Sequence, residues 1–298
     1  MNLVYPKNFI ITAMLPIFSA LLLPGCTPFV GAAQGYQDLN KLIASGWIAQ
    51  QHNGIGVPVV SLAQATFAPS HNLLVYIEGD GNAWTSRSVP SANPTPRDPV
   101  GLKLAVRSSP ATNSLYLARP CQYVHQPLPA TCTVELWTKA RYGERTLRAL
   151  NDALDDRLTA LSWTPEKSRI YLIGYSGGAT MALLMAAGRT DVAGVITVAG
   201  NLDIDAWTSH HKVSPLDASF NPASLVDALA DIPQVHWRGE LDRVVPLETQ
   251  AGYLKRLPST AQVKVYSLVG YDHTCCWLET WRESLGQSLA FFASLEEG

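Results

Sequence analysis

Charge is scarce in this sequence. Of 298 residues only 15% are Asp, Glu, Lys or Arg, the formal net charge is −2, and like charges form no run. Binding a polyanion needs a basic face, so nucleic acid and an acidic membrane surface are excluded as electrostatic partners. Low-complexity segments and fixed-period recurrences are absent too, which removes repeat and solenoid architectures. Metal-ligand spacing is missing among the cysteines and histidines, and no metal or organic cofactor is implied. What is present is a 47% hydrophobic content, enough for the core of one large α/β domain.

A long apolar run is also missing. The N-terminal stretch "FIITAMLPIFSALLL" follows Lys7, is broken by Pro16 and is too short to span a bilayer well, so it reads as a signal-peptide core. The following "LPGC" resembles a bacterial lipoprotein box, with Leu23, Gly25 and a lipidated Cys26, although Pro24 departs from its usual residues. That resemblance implies a signal peptide over residues 1–25 and an N-terminal tether over 26–56. It also implies a lipid anchor in the cell envelope, with Thr27 favouring the periplasmic face of the outer membrane. An ordinary secretory cut after Ala33 is the alternative.

Outside the cytosol the four remaining cysteines can oxidise. Cys121 and Cys132 flank a Pro-rich loop that a disulfide would restrain by about 2–4 kcal/mol. Cys275 and Cys276 are adjacent, and two free, partly buried thiols are expected there rather than a strained vicinal bridge.

Short aliphatic runs at residues 73–78, 114–119, 169–175, 194–200, 234–239 and 263–268 read as strands, and helical patterns cover 144–161, 178–188, 247–257 and 278–295. Their alternation, with strands apolar throughout, predicts βαβ units in a mostly parallel sheet covered on both faces, a three-layer α/β/α sandwich over residues 57–298. Residues 82–143 hold most of the irregular material and are read as long loop insertions.

On that scaffold "GYSGG" places Ser176 between a strand and a helix, the setting of a nucleophile elbow. A serine needs a base, and His273 in "GYDH" lies beyond the strand 263–268, ahead of the last helix. His52, His71, His125, His210, His211 and His236 are less well placed and read as structural or surface residues. The base needs an orienting carboxylate, and Asp242 in "GELDRVVP" follows the strand 234–239; Asp203 and Asp205, after the preceding strand, are rivals. Asp272 reads as a solvated loop residue.

From about residue 57 onward the chain resembles the α/β-hydrolase superfamily, carried by "GYSGG", "GELDRVVP" and "GYDH" in that order. The resemblance implies a Ser176–His273–Asp242 triad and an oxyanion hole from the backbone N–H groups of Gly177 and Asp80, with Glu78 standing where many relatives carry histidine. It implies an acyl-enzyme hydrolase of a carboxylic ester, or of a thioester or amide, acting on a small-molecule or lipid acyl substrate. A non-catalytic binding module of the same fold is the alternative class. Trp84, Arg97, Arg119, Trp137 and Arg141, on the long loops, are candidates for substrate contact.

Overall fold

The computed structural model describes residues 30–68, 71–109, 112–163 and 169–296. Cys26 and the segment read as a signal peptide lie outside them. In chain order, α1 (Val30–Ala44), β1 (Trp47–His52), β2 (Val59–Gln64) and β3 (Asn72–Ile77) precede α2 (Val100–Arg107) and β4 (Asn113–Leu117). Then come α3 (Glu144–Ala160), β5 (Arg169–Tyr175), α4 (Gly177–Gly188), β6 (Val192–Val198), α5 (Ile204–His211), β7 (Gln234–Gly239), α6 (Leu247–Arg256), β8 (Val263–Leu268) and α7 (Trp277–Ser294).

The eight strands form one sheet in the order β1-β2-β4-β3-β5-β6-β7-β8, parallel except for the antiparallel pairs β1–β2 and β2–β4. Successive side chains on a strand point to opposite faces, and the core divides accordingly. Leu73, Val75 and Ile77 of β3 pack with α3 and α4 on one face, while Leu74 and Tyr76 pack with α2 and α7 on the other. Five of the six residues of β3 and all but the first of β5 are buried, as a sheet covered on both faces requires.

Three expectations need correction. The tether over 26–56 is built structure from Val30 to His52: β1 pairs in register with β2, and Tyr36 donates a 2.7 Å hydrogen bond to the Val124 carbonyl. β1 carries no apolar pattern, "WIAQQH", because it is an edge strand whose four central residues face water. The 82–143 segment is not only loop, since α2 covers the sheet with buried Val100, Leu102 and Leu104. Cys275 and Cys276 are disulfide-bonded rather than free. Adjacent in the chain, they meet where it turns into α7 with Cys276 in a left-handed backbone conformation, their Cα atoms 3.7 Å apart. The Cys121–Cys132 bridge is present as expected, with Cα atoms 5.8 Å apart. No helix among the described residues is long and apolar enough to cross a membrane.

One buried histidine makes stability depend on pH. His236, in mid-β7, donates from Nε2 to Gln234 Oε1 (3.2 Å) and accepts at Nδ1 from the Thr197 hydroxyl (2.8 Å). Burial, then the Arg238 charge, lowers its pKa from 6.5 to about 3. Between those values the unfolded chain holds a proton that the folded chain refuses, so this residue contributes a loss of stability as pH falls below 6.5, up to about 1.4 kcal/mol per pH unit. His236→Asn is expected to be less stable at pH 7 yet to lose stability more gradually between about pH 6.5 and 4. Parallel slopes in denaturant titrations of the two proteins would refute this.

Candidate active site

Ser176 occupies the turn from β5 into α4 with φ 53° and ψ −120°, a conformation costing a residue with a side chain about 1–3 kcal/mol unless its surroundings enforce it. They do. Its N–H donates to the Val198 carbonyl (3.0 Å), and its carbonyl accepts from the N–H of Asn201 (3.1 Å). The glycines have a steric cause: a Cβ on Gly178 would collide with the Ile77 carbonyl of β3, and one on Gly174 with the backbone of Gly178 and Ala179. Helix α4 therefore lies directly against the sheet, with its N-terminal partial positive charge beside the serine.

His273 lies in the loop between β8 and α7 and reaches back across 97 residues of sequence to Ser176. Its Nε2 is 2.9 Å from Ser176 Oγ, and its Nδ1 is 2.8 Å from Asp242 Oδ2. Because an ionised carboxylate only accepts, Nδ1 carries the proton and Nε2 is left to accept from the serine hydroxyl. Three contacts hold the ring's backbone: Tyr175 OH donates to the His273 carbonyl (3.0 Å), as does Trp277 Nε1 (3.1 Å), which also donates to the Asp272 carbonyl (3.1 Å). Asp242 is fixed in turn, its Oδ1 accepting from the N–H groups of Val244 and Val245, each at 2.8 Å.

The rivals are engaged elsewhere. Asp203 caps α5, accepting from Ala206 N–H (3.2 Å) and Asn221 Nδ2 (2.9 Å). Asp205 is exposed and also accepts from Asn221 (2.9 Å). Asp272 takes the N–H groups of Cys275 (2.6 Å) and Thr274 (2.8 Å), which hold its carboxyl below the usual range.

Beyond β3, the loop Glu78-Gly79-Asp80 passes beside the serine, with Gly79 against Tyr175 and Ser176. Neither Asp80 N–H nor Gly177 N–H has a hydrogen-bond partner among the described residues. Glu78 is fully buried. Its carboxylate accepts from the N–H groups of Gly79 (2.9 Å), Gly101 and Leu102 (3.1 Å each) and from Tyr116 OH (3.1 Å), so it ties the end of β3 to the start of α2. Burial pushes its pKa up against those four donors.

The Asp80 side chain is clamped by residues from the two ends of the connection between β4 and α3. Arg119 Nη1 (3.1 Å) binds its Oδ1, and Arg141 Nη1 (2.9 Å) and Tyr142 OH (2.6 Å) bind its Oδ2. Burial would raise this carboxyl, but the Arg141 and Arg119 charges outweigh it and keep it below the ordinary value. Arg119 also donates to the Gly177 carbonyl (3.3 Å) and to the Arg141 carbonyl. One guanidinium thus links the two residues whose N–H groups flank the serine.

The architecture is shared with solved structures. Est1E from Butyrivibrio proteoclasticus matches with a TM-score of 0.53 and 14% identity, covering 81% of this chain and 99% of its own. The Pyrococcus furiosus esterase Pf2001 matches at 0.55 and 15%, covering 82% and 91%. An alpha-beta serine hydrolase homologue from Coxiella burnetii matches at 0.52 and 14%, covering 83% and 97%. The fold is that of the α/β-hydrolases. No protein-family model and no curated protein matches the sequence.

In this α/β-hydrolase fold the serine opens into a cavity of about 460 Å³ at the carboxyl edge of the parallel strands. Of the residues proposed from sequence to touch substrate, Trp84, Arg97 and Arg141 line it. Arg119 and Trp137 do not. Arg119 is buried behind Asp80, and Trp137 packs in the core with its Nε1 on the Ser91 carbonyl (3.0 Å). Tyr142 and Trp207 also line the cavity, and no sequence signal singled them out, because neither belongs to a spaced motif. Among the described residues no group of three His, Cys, Asp or Glu side chains could hold a metal ion.

Proposed function

We propose that the chain is a serine hydrolase that cleaves a carboxylic ester through an acyl-enzyme. The observation that carries this reading is the continuous chain of hydrogen bonds from Asp242 through His273 to Ser176, at 2.8 and 2.9 Å, ending beside two unpartnered N–H groups. Ser176 Oγ attacks the acyl carbon as its proton passes to His273 Nε2. Asp242 stabilises the imidazolium that forms. The negative charge developing on the carbonyl oxygen meets Gly177 N–H, Asp80 N–H and the start of α4. His273 returns the proton to the leaving alcohol, then activates the water that releases the acid and restores the serine. One structurally similar protein is named an esterase and another, from Mycobacterium tuberculosis, a puromycin-hydrolyzing peptidase, so an ester is the leading substrate in this proposal and an amide the next.

Folded protein treated with a fluorophosphonate is expected to be labelled at Ser176, and Ser176→Ala is expected to escape labelling. An unlabelled wild type that also turns over none of a panel of short and long acyl esters would remove the enzyme reading and favour a binding module.

The "LPGC" sequence supports attachment to the envelope membrane through a lipidated Cys26, with this chemistry taking place outside the cytosol. Radiolabelled fatty acid is expected to enter the wild-type protein and not Cys26→Ser. Equal incorporation into both would refute the anchor.

A further inference from the structure

The chain enters the fold at the same edge on which Ser176 opens. β1 and β4 are both antiparallel to β2, so β1 runs with the parallel strands and begins at their amino edge. Helix α1 ends there as well, and in the turn after it the Gly46 carbonyl accepts from Ala65 N–H, just past the end of β2 (3.2 Å). Towards its other end, Gly35 lies against the Pro96 carbonyl, where a Cβ would collide, and Pro96 lines the serine cavity. α1 therefore runs antiparallel to the parallel strands. Cys26 precedes Val30, the start of α1, by four residues, a reach of at most about 14 Å of extended chain.

The same edge leaves apolar side chains in water. Trp84 and Val89 follow β3, Val213 follows α5, Leu241 and Val244 follow β7, and Val269 follows β8. These six are between 40% and 81% exposed. Trp84 and Val244 stand in the wall of the serine cavity itself. Trp84 also belongs, with Val213 and Leu216, to a second cavity of about 670 Å³ that meets the first at Trp84, Arg141 and Trp207. The turns entering β6 and β8 at the opposite edge, residues 188–191 and 258–262, expose no large apolar side chain. Apolar side chains gathered in this way around a site mark a surface that something else covers.

The reach of the tether says what covers it. A lipid carried on Cys26 would hold this edge, and not the opposite one, next to a bilayer, where the six side chains can leave water for the boundary between headgroups and acyl chains. The net charge of −2 offers a membrane no electrostatic attraction, so the contact is made by the anchor and by apolar surface.

We propose that the carboxyl edge of the sheet docks on the lipid surface that holds the anchor, so that Ser176 faces the bilayer and the substrates are esters resident in that membrane rather than dissolved in water. The inference rests on the serine-hydrolase and lipid-anchor readings above. With the lipidated protein on phosphatidylcholine vesicles, amide hydrogen exchange is expected to be slowed at residues 84–89, 241–244 and 269–271, relative to unlipidated protein in solution, and unchanged at 188–191 and 258–262. Val89 and Val269 line neither cavity. Val89→Asp and Val269→Asp are each expected to lower the turnover of 4-methylumbelliferyl heptanoate and oleate held in the vesicles by about tenfold, the factor carried by one aliphatic side chain taken out of water. Hydrolysis of 4-nitrophenyl acetate in solution should stay at the wild-type rate.

Protection of the opposite edge, or of neither edge, overturns this inference, while fluorophosphonate labelling and fatty-acid incorporation leave the two readings beneath it standing. So does turnover of the acetate with none of either vesicle-held ester, or wild-type rates on the vesicles for both variants. Absence of labelling and turnover removes the hydrolase reading, absence of incorporated fatty acid removes the anchor, and the inference falls with either.

Discussion

Asp242→Asn is expected to fold normally and to lose about 10⁴-fold in kcat on any ester the protein accepts. The asparagine oxygen can keep the two bonds that Asp242 Oδ1 accepts from Val244 and Val245, so the loop should hold its shape. Its NH₂ group would then face His273 Nδ1, which would have to accept rather than donate. The ring proton moves to Nε2, pointing at the Ser176 hydroxyl, and the base is lost. Asp203→Asn and Asp205→Asn should change kcat less than about tenfold, because Asp203 holds α5 and Asn221 and Asp205 is exposed. If Asp203→Asn or Asp205→Asn were crippled while Asp242→Asn kept near-normal turnover, the orienting acid would have to be reassigned to the end of β6.

Arg119→Lys is expected to lower kcat by about 10²–10³-fold with little change in KM, the signature of lost transition-state stabilisation. Arg119 is a positioning residue: buried behind the cavity, it touches the Asp80 carboxylate, the Gly177 carbonyl and the Arg141 carbonyl at once. A lysine has one nitrogen and cannot span those three acceptors. Asp80 would keep Arg141 and Tyr142, so the buried charge is not orphaned and the fold should survive. The Asp80 and Gly177 N–H groups, however, would no longer be held in register. A boronic acid that mimics the tetrahedral adduct should bind more weakly in step with kcat/KM, a readout that loss of stability alone would not move. A folded variant within about twofold of wild-type kcat, binding the boronic acid as tightly, would show that the clamp has no part in catalysis.

The parts of this protein that short-range sequence determines are those whose cause is local. Aliphatic runs between turn residues become strands, and six of the eight are legible: β3, β4 and β5 are buried along nearly their whole length because both faces of the sheet are covered there, while β8, at the edge, leaves Lys264 and Ser267 exposed. "GYSGG" is legible because a sharp strand-to-helix turn needs glycines wherever backbone meets backbone, as Gly174 and Gly178 do. The order of Ser176, Asp242 and His273 follows from strand ends alone. The choice of Asp242 over Asp203 does not, since both follow strands, and only the path of the loop before α7 brings His273 to within 2.8 Å of one of them. Edge strand β1 has no apolar face to betray it, and nothing in "CC" says whether the turn into α7 joins the two sulfurs. The Arg119–Asp80–Arg141–Tyr142 cluster joins residues up to 62 positions apart. Its members have no common spacing, because sheet order decided which loops converge there. The second cavity is of the same kind: the chain from Trp84 to Leu216 becomes one wall only after β3, β5 and β6 are laid side by side, and no local pattern carries that information.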